Sequence, residues 1–370
     1  MNFNSFLLNP QINAGISAAG YSTPTPIQLR TIPPILEGRD VLGLAQTGTG
    51  KTAAFVLPIL QRLMKGPRGK LRALILSPTR ELAEQTHTAI RTLGRQTGLH
   101  SITIYGGVSP QPQIAGLRNG VDIVVACPGR LLDLMDQRVV NLKSIEVLVL
   151  DEADEMFDMG FLPAIRRILS ALPSPRQTLL FSATMPPEIR SLAANFLHQP
   201  VTVEISASRP VETVSHAVYP VEQTRKSEML LSLLKLAGSR RVLVFTRTKH
   251  RARKLAQQLT QAGLSATSLQ GNLSQAQRQK ALDGFRSGRV RVLVATDIAA
   301  RGIDVSEISH VINYDMPDTA DAYTHRIGRT GRMARLGIAL SLVTPDDLPM
   351  IRTIERLLGS TLERRQVARI

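Results

Sequence analysis

Twice along this chain, short runs of valine, isoleucine and leucine alternate with stretches whose apolar residues recur at helical spacing. In the first half the buried-strand candidates are 41–45, 72–77, 101–105, 122–126, 146–150 and 177–182. Between them lie segments such as 80–95, where Leu82, Ala83, Thr86, Ala89, Ile90 and Leu93 repeat with the period of a helix. The second half repeats the scheme, with strands at 241–246, 265–269, 290–295, 309–313 and 338–343 and helices at 249–263, 274–287 and 319–327. Apolar strands joined by helices imply a mostly parallel sheet flanked by helices on both faces. The periodicity lapses at 205–214, ISASRPVETV, where Ser, Ala, Pro and Thr take over. The expected organisation is two α/β domains, 1–207 and 214–370, joined by a linker at 208–213. Such sheets bind ligands at strand C-termini and the loops that follow, so the cleft between the domains is the expected site.

With 43% hydrophobic and 20% charged residues, the composition is that of a globular protein. No apolar run approaches the length that crosses a bilayer, and the opening MNFNSFLLNPQ lacks the basic start of a secretory signal. One cysteine, Cys127, excludes an internal disulfide and suits a reducing cytoplasm, the expected address. Net charge is +16 and unevenly placed. Residues 1–208 hold 19 Lys and Arg against 15 Asp and Glu, whereas 209–370 hold 26 against 14. A solvated basic surface would account for charge alone; a basic half joined to a nucleotide site points to a polyanionic partner.

That nucleotide site is Ala45-Gln46-Thr47-Gly48-Thr49-Gly50-Lys51-Thr52, between a predicted strand and a predicted helix. Glycines let backbone N–H groups turn around phosphate oxygens, and the helix N-terminus adds positive potential. Lys51 would reach the β- and γ-phosphates of ATP, and the Thr52 hydroxyl would hold Mg²⁺. Ala45 replaces the first glycine of the general pattern, and a plain Gly/Thr turn is the alternative that the strand–loop–helix context disfavours. Asp151 directly follows the apolar strand 147–150, where a carboxylate can hold Mg²⁺, directly or through water, opposite Thr52. Glu152 is then placed to orient or deprotonate the attacking water. An acidic helix start would explain one of these carboxylates, not their pairing with a phosphate loop.

With Asp151-Glu152-Ala153-Asp154 in place, the chain closely resembles the DEAD-box RNA helicases over nearly its whole length. Further matches are Pro78-Thr79-Arg80, Gly106-Gly107, Pro128-Gly129-Arg130, Ser182-Ala183-Thr184, Val244-Phe245-Thr246-Arg247, Gln275 with Arg278, Ala295-Thr296-Asp297 through Arg301-Gly302-Ile303-Asp304, and 325–332, HRIGRTGR. DEADEMFDMGF and LVFTRTKH look most like the bacterial RhlE subgroup. The resemblance implies two tandem RecA-like domains with ATP and RNA at the cleft between them. It makes 1–29 an adenine-reading segment, in which Gln28 bonds the adenine edge and Tyr21 stacks on its face; Phe3 sits at the spacing of the family's upstream aromatic. Gly302 and Asp304 would join the nucleotide site. Arg329 and Arg332, spaced to share one helical face, would be arginine fingers reaching the γ-phosphate. Asp154 would couple the sites through Ser182, Thr184 and His325.

The loops carrying Pro78, Thr79, Arg80, Gly106, Gly107, Pro128, Gly129 and Arg130 all follow predicted strands, and their content suits phosphate and sugar contacts. Arg247, Gly271, Gln275, Arg278 and Thr296 would supply the facing half. With 4% aromatics and no stacking cluster, backbone recognition with little sequence preference is expected. Cys127 stands where the family usually has Thr, which puts one hydroxyl contact in doubt. ATP and RNA would both favour closure of the domains, prying apart a few base pairs. The rivals are a DNA helicase and an RNA clamp or annealing factor with weak turnover. Ribosome-assembly and RNA-degradation proteins stay open as partners.

Overall fold

A computed structural model of the chain describes residues 2–46, 48–205, 214–300, 307–331 and 336–366. The chain divides into two compact units, Met1–Ser206 and Ala207–Ile370; the linker expected at 208–213 lies outside the described residues.

The first unit is a seven-stranded sheet of β1 (Val41–Leu44), β2 (Ala73–Leu76), β3 (Ser101–Ile104), β4 (Ile123–Ala126), β5 (Val147–Leu150), β6 (Gln177–Ser182) and β7 (Val201–Glu204). The strands run parallel throughout in the order β3-β4-β2-β5-β6-β1-β7. The second unit holds β8 (Val214–Pro220), β9 (Arg241–Phe245), β10 (Ala266–Leu269), β11 (Val292–Ala295), β12 (Ile308–Asn313), β13 (Gly337–Val343) and β14 (Glu363–Arg364). Its order is β10-β11-β9-β12-β13-β8-β14, also parallel. Adding seven to each label of the first sheet reproduces the second, so the repetition in the sequence is a repetition of topology.

Each central strand is buried on both faces because it carries apolar side chains at consecutive positions. In β5, Val147 and Val149 enter one layer of core while Leu148 and Leu150 enter the other. In β11, Val292 and Val294 divide from Leu293 and Ala295 in the same way. Gly43 has a steric reason for being glycine: a Cβ there would stand 2.6 Å from the Phe181 ring, which packs at 5.4 Å from Phe55.

The predicted strands and helices all occur, within a residue or two at their ends. Three strands go beyond the expected set, β7, β8 and β14, along with helices Lys226–Leu236 and Leu348–Leu358. β7 and β14 lie at sheet edges, and β8 is the neighbour of β14. In β7 only Val203 is buried while Thr202 and Glu204 face solvent, so it lacks the apolar run that marks the central strands. Among the described residues no helix is long and apolar enough to cross a membrane.

Candidate active site

Because every strand of the first sheet is parallel, the loops after β1 to β6 leave along one edge. β5, β6 and β1 are neighbours, so the phosphate loop, the acidic run and Ser182-Ala183-Thr184 emerge side by side. Helix Lys51–Leu63 begins on Gly50, whose φ of 92° lies in the left-handed region, and Gly48 has a φ of 84°. A Cβ on Gly50 would also meet Gln28 Nε2 at 2.5 Å. Only glycine satisfies both constraints. Thr49 Oγ1 donates to the Gln46 carbonyl at 2.7 Å, and the buried Lys51 ammonium donates to the Ala45 carbonyl at 2.8 Å. Ala45 donates its N–H to the Ser182 carbonyl at 3.0 Å, continuing the β1–β6 ladder into the loop. Thr52 is half-buried in the first turn of the helix; Thr47 lies outside the described residues.

Gln28 is buried in helix Pro26–Leu36 and ties two elements together. Its Oε1 accepts from the Thr25 N–H at 2.9 Å, and its Nε2 donates to the Gly50 carbonyl at 3.0 Å. One amide hydrogen and one acceptor lone pair are left over for a ligand. Tyr21 is 43% exposed, and its ring stacks on Phe3 at 6.2 Å. Phe3 is only 4% exposed, so it is a core residue that props Tyr21.

At the end of β5, Asp151 is 1% exposed, and its Oδ1 has no hydrogen-bond partner among the described residues. Burial, then the neighbouring Glu152 charge, pushes its carboxyl up to about 7 against the pull of Lys51. Glu152 is buried and adopts a left-handed backbone, φ 52° and ψ 57°, which costs a residue with a side chain roughly 1–3 kcal/mol. Asp154 plays a different part. Its Oδ2 accepts from the Ala183 N–H at 3.1 Å, the Thr184 N–H at 2.8 Å and the Thr184 hydroxyl at 2.9 Å, while its own N–H donates to Ser182 Oγ at 3.2 Å. The structure thus brings Asp154, Ser182 and Thr184 into one network. His325 belongs to the second unit, half-buried on helix Ala320–Ile327.

The donor set fits Mg²⁺ with a nucleotide. An orphaned, desolvated carboxylate oxygen and a helix-start threonine suit a hard cation. Among the described residues no group of three His, Cys, Asp or Glu side chains is placed to cage a metal.

The remaining candidates of the first unit leave the adjacent strands β2, β3 and β4. Thr79 is buried, and its Oγ1 caps helix Arg80–Leu93 by accepting from the Leu82 N–H at 3.3 Å, leaving its hydroxyl hydrogen for a ligand. Gly107 has φ 74°, and a Cβ there would run into the Arg80 guanidinium at 2.2 Å, so glycine lets Arg80 lie across the loop. Arg130 donates to the Val108 carbonyl at 3.3 Å and pairs with Asp133 at 3.7 Å, tying the loops after β3 and β4 together. Pro78 and Gly106 complete the loops after β2 and β3. Pro128 and Gly129 open helix Pro128–Asp136. Cys127 is its N-cap, and its side chain makes no capping hydrogen bond. Burial pushes its thiol up to about 12.

In the second unit the corresponding loops leave β9, β10 and β11. Arg247 follows β9, with its N–H on Asp315 Oδ2 at 2.9 Å and its guanidinium 3.5 Å from Asp318. Gly271 follows β10, Gln275 opens helix Gln275–Arg286, and Arg278 of that helix donates to the Ala299 carbonyl at 3.3 Å. Thr296 follows β11. Gly302, Asp304 and Arg332 lie outside the described residues.

One expectation needs correction here. Arg329 is not on a helical face, because helix Ala320–Ile327 ends before it at Gly328 and the chain turns at Gly331 with φ 71°. The segment is packed into the fold, with Arg329 5% exposed and Arg326 3%. Arg326 grips Asp297 through two bonds of 2.6 and 2.7 Å, donates to Asn313 Oδ1 and the Asp315 carbonyl, and lies 5.0 Å over the Phe245 ring. This hub joins β9, β11 and β12 to the helix. The sequence offered only one signal for it, an arginine between apolar helical positions.

Residues 25–192 match the family described as DEAD/DEAH box helicase, and 225–334 match the helicase conserved C-terminal domain. The chain is 45% identical to the RNA helicase CrhR of Synechocystis, covering 93% of this chain and 70% of that protein. It is 43% identical to the ATP-dependent RNA helicase DeaD of Mycobacterium tuberculosis (99% and 65%) and 40% identical to CshA of Bacillus subtilis (98% and 74%). It therefore spans about two thirds to three quarters of the length of these relatives. Yeast Dbp5 bound to RNA and ADP–BeF3 superposes with a TM-score of 0.86 at 32% identity, over 99% of this chain and 95% of that one. A DEAD box protein from Methanococcus jannaschii gives 0.57 at 37% identity, over 99% of each chain. Two tandem RecA-like units, the phosphate loop of one beside an acidic run at the end of β5, and these likenesses place the chain in the DEAD-box family of ATP-dependent RNA helicases.

Proposed function

We propose that the chain hydrolyses ATP in response to RNA and uses the cycle to open short duplexes or remodel ribonucleoproteins locally. The observation that carries this reading is the sorting of one sheet edge: nucleotide residues follow β5 and β1, the coupling residues Ser182 and Thr184 lie at the end of β6 between them, and the RNA set follows the adjacent β2, β3 and β4. Lys51 holds the β- and γ-phosphates, Gln28 presents its spare amide hydrogen to adenine, and Tyr21 stacks against it. Mg²⁺, held by Thr52 and Asp151, partly through water, would offset phosphate charge when bound. Glu152 accepts the proton of the attacking water, and its left-handed backbone fixes where that carboxylate sits. Arg329, with Arg332, stabilises charge on the γ-phosphate when the second unit closes on the first.

RNA is held along its backbone by the loops of both units, so ATP and RNA each favour the closed form and tighten one another. Asp154 passes the state of the acidic run to Ser182-Thr184, with His325 receiving it from the second unit. The stretches 151–161 and 243–250 support an RhlE-like subgroup, beside relatives named CrhR, DeaD and CshA. The single cysteine, Cys127, supports a cytoplasmic address. Phosphate release with ATP alone, with single-stranded RNA and with single-stranded DNA tests the reading. Strong stimulation by RNA is expected; equal stimulation by DNA would favour a DNA helicase, and none would favour a clamp.

A further inference from the structure

Beyond the RNA set, the second unit carries a groove of about 780 Å³, within the size range of ligand sites. One wall is the face of helix Lys249–Gln261 bearing Lys249, Arg253 and Gln257, spaced four apart and exposed. The other is β10, an edge strand that pairs only with β11, together with the turn after it. Thr260 Oγ1 donates to the Ala266 carbonyl at 3.2 Å and Lys249 Nζ to Asn272 Oδ1 at 3.1 Å, so both walls are tied at their ends.

The lining is chemically one-sided. Lys249, Arg253 and His250 are its ionisable groups, no carboxylate is present, and the rest is largely amide and hydroxyl. A basic helix face is commonly no more than solvated surface. A concave site with cations, hydrogen-bonding side chains and no acid is instead complementary to a phosphodiester backbone.

Position selects RNA over an acidic peptide. Helix Lys249–Gln261 begins two residues after Arg247, Asn272 adjoins Gly271, and Gln277 belongs to the same first turn of helix as Gln275. The groove therefore adjoins Arg247, Gly271 and Gln275 along the chain. We propose that the groove is a second RNA-backbone site, taking the flanking part of a strand whose central part lies on the RNA set. The inference rests on the RNA reading above.

The test measures binding of the whole chain, with a non-hydrolysable ATP analogue, to a short single strand that spans only the RNA set and to the same strand extended at its 5′ or 3′ end. Extension at one end is expected to tighten binding. Two added phosphate contacts on a single strand steepen the salt slope by about 1.4, so the gain shrinks about sevenfold between 50 and 200 mM salt. Combined Lys249→Ala and Arg253→Ala should abolish the gain while leaving affinity and ATPase stimulation by the short strand unchanged. Photo-crosslinks from the extension should reach Thr267 and Ser268. If the short strand binds but extension adds nothing, or the double variant keeps the gain, the second site is refuted and the RNA reading survives. If an acidic peptide binds the short-strand complex and loses that binding in the double variant, while extension of the RNA adds nothing, the groove is a peptide site. Loss of all RNA binding in the wild type would sink both.

Discussion

Glu152 shows what a single residue spends on function. It is buried, carries a side chain, and still takes a left-handed backbone where glycine would be unstrained. Glu152→Gln preserves shape and removes the base, so turnover should fall about 10²- to 10⁴-fold while ATP and RNA affinities hold. Unchanged RNA-stimulated phosphate release would overturn its role. Cys127 shows the opposite, a position where the chain departs from its family and leaves a helix uncapped. Cys127→Thr supplies the missing acceptor and should stabilise the first unit by about 1 kcal/mol in urea unfolding. A loss of stability would mean that the buried site rejects the hydroxyl. The residue types at the phosphate loop and the acidic run were legible in the sequence, because each glycine, lysine and carboxylate answers a local demand. That Asp154 serves Ser182 and Thr184 was legible only through the family resemblance, since the partners lie about 30 positions away.

At the scale of elements, central strands announce themselves and edge strands do not, because burial on both faces demands unbroken apolar runs while an edge tolerates alternation. Helix starts were readable too: Thr79, Thr248, Ser274 and Thr319 each cap one. β12 carries a polar exception. His310 is 6% exposed, and burial, then Arg240 and Arg291, lower its pKa to about 4 from an ordinary 6.5. The unfolded chain therefore binds a proton that the folded strand resists, and stability falls as pH drops from about 6.5 toward about 4. Guanidinium unfolding across that window should show the second unit of His310→Asn losing less stability than the wild type, by roughly 2–3 kcal/mol. Parallel pH profiles would refute this.

The whole molecule is one strand order built twice, with excess positive charge on the second copy. Each unit has cores of its own, so each half should fold alone, and thermal unfolding of the separate fragments checks this. RNA-stimulated phosphate release should appear only when the units share a chain, since Lys51 and Glu152 lie in one and Arg329 in the other. Activity in the isolated first unit would remove Arg329 from the mechanism. The sequence by itself determined the two α/β domains, the phosphate loop and the carboxylates, because periodicity and backbone conformation are set by near neighbours. Tertiary structure alone decided that the two sheets share one order, that Arg326 and Arg329 are buried, and that a carboxylate-free groove flanks β10. Those are contacts between residues far apart in the chain, chosen by packing and charge that no local pattern records.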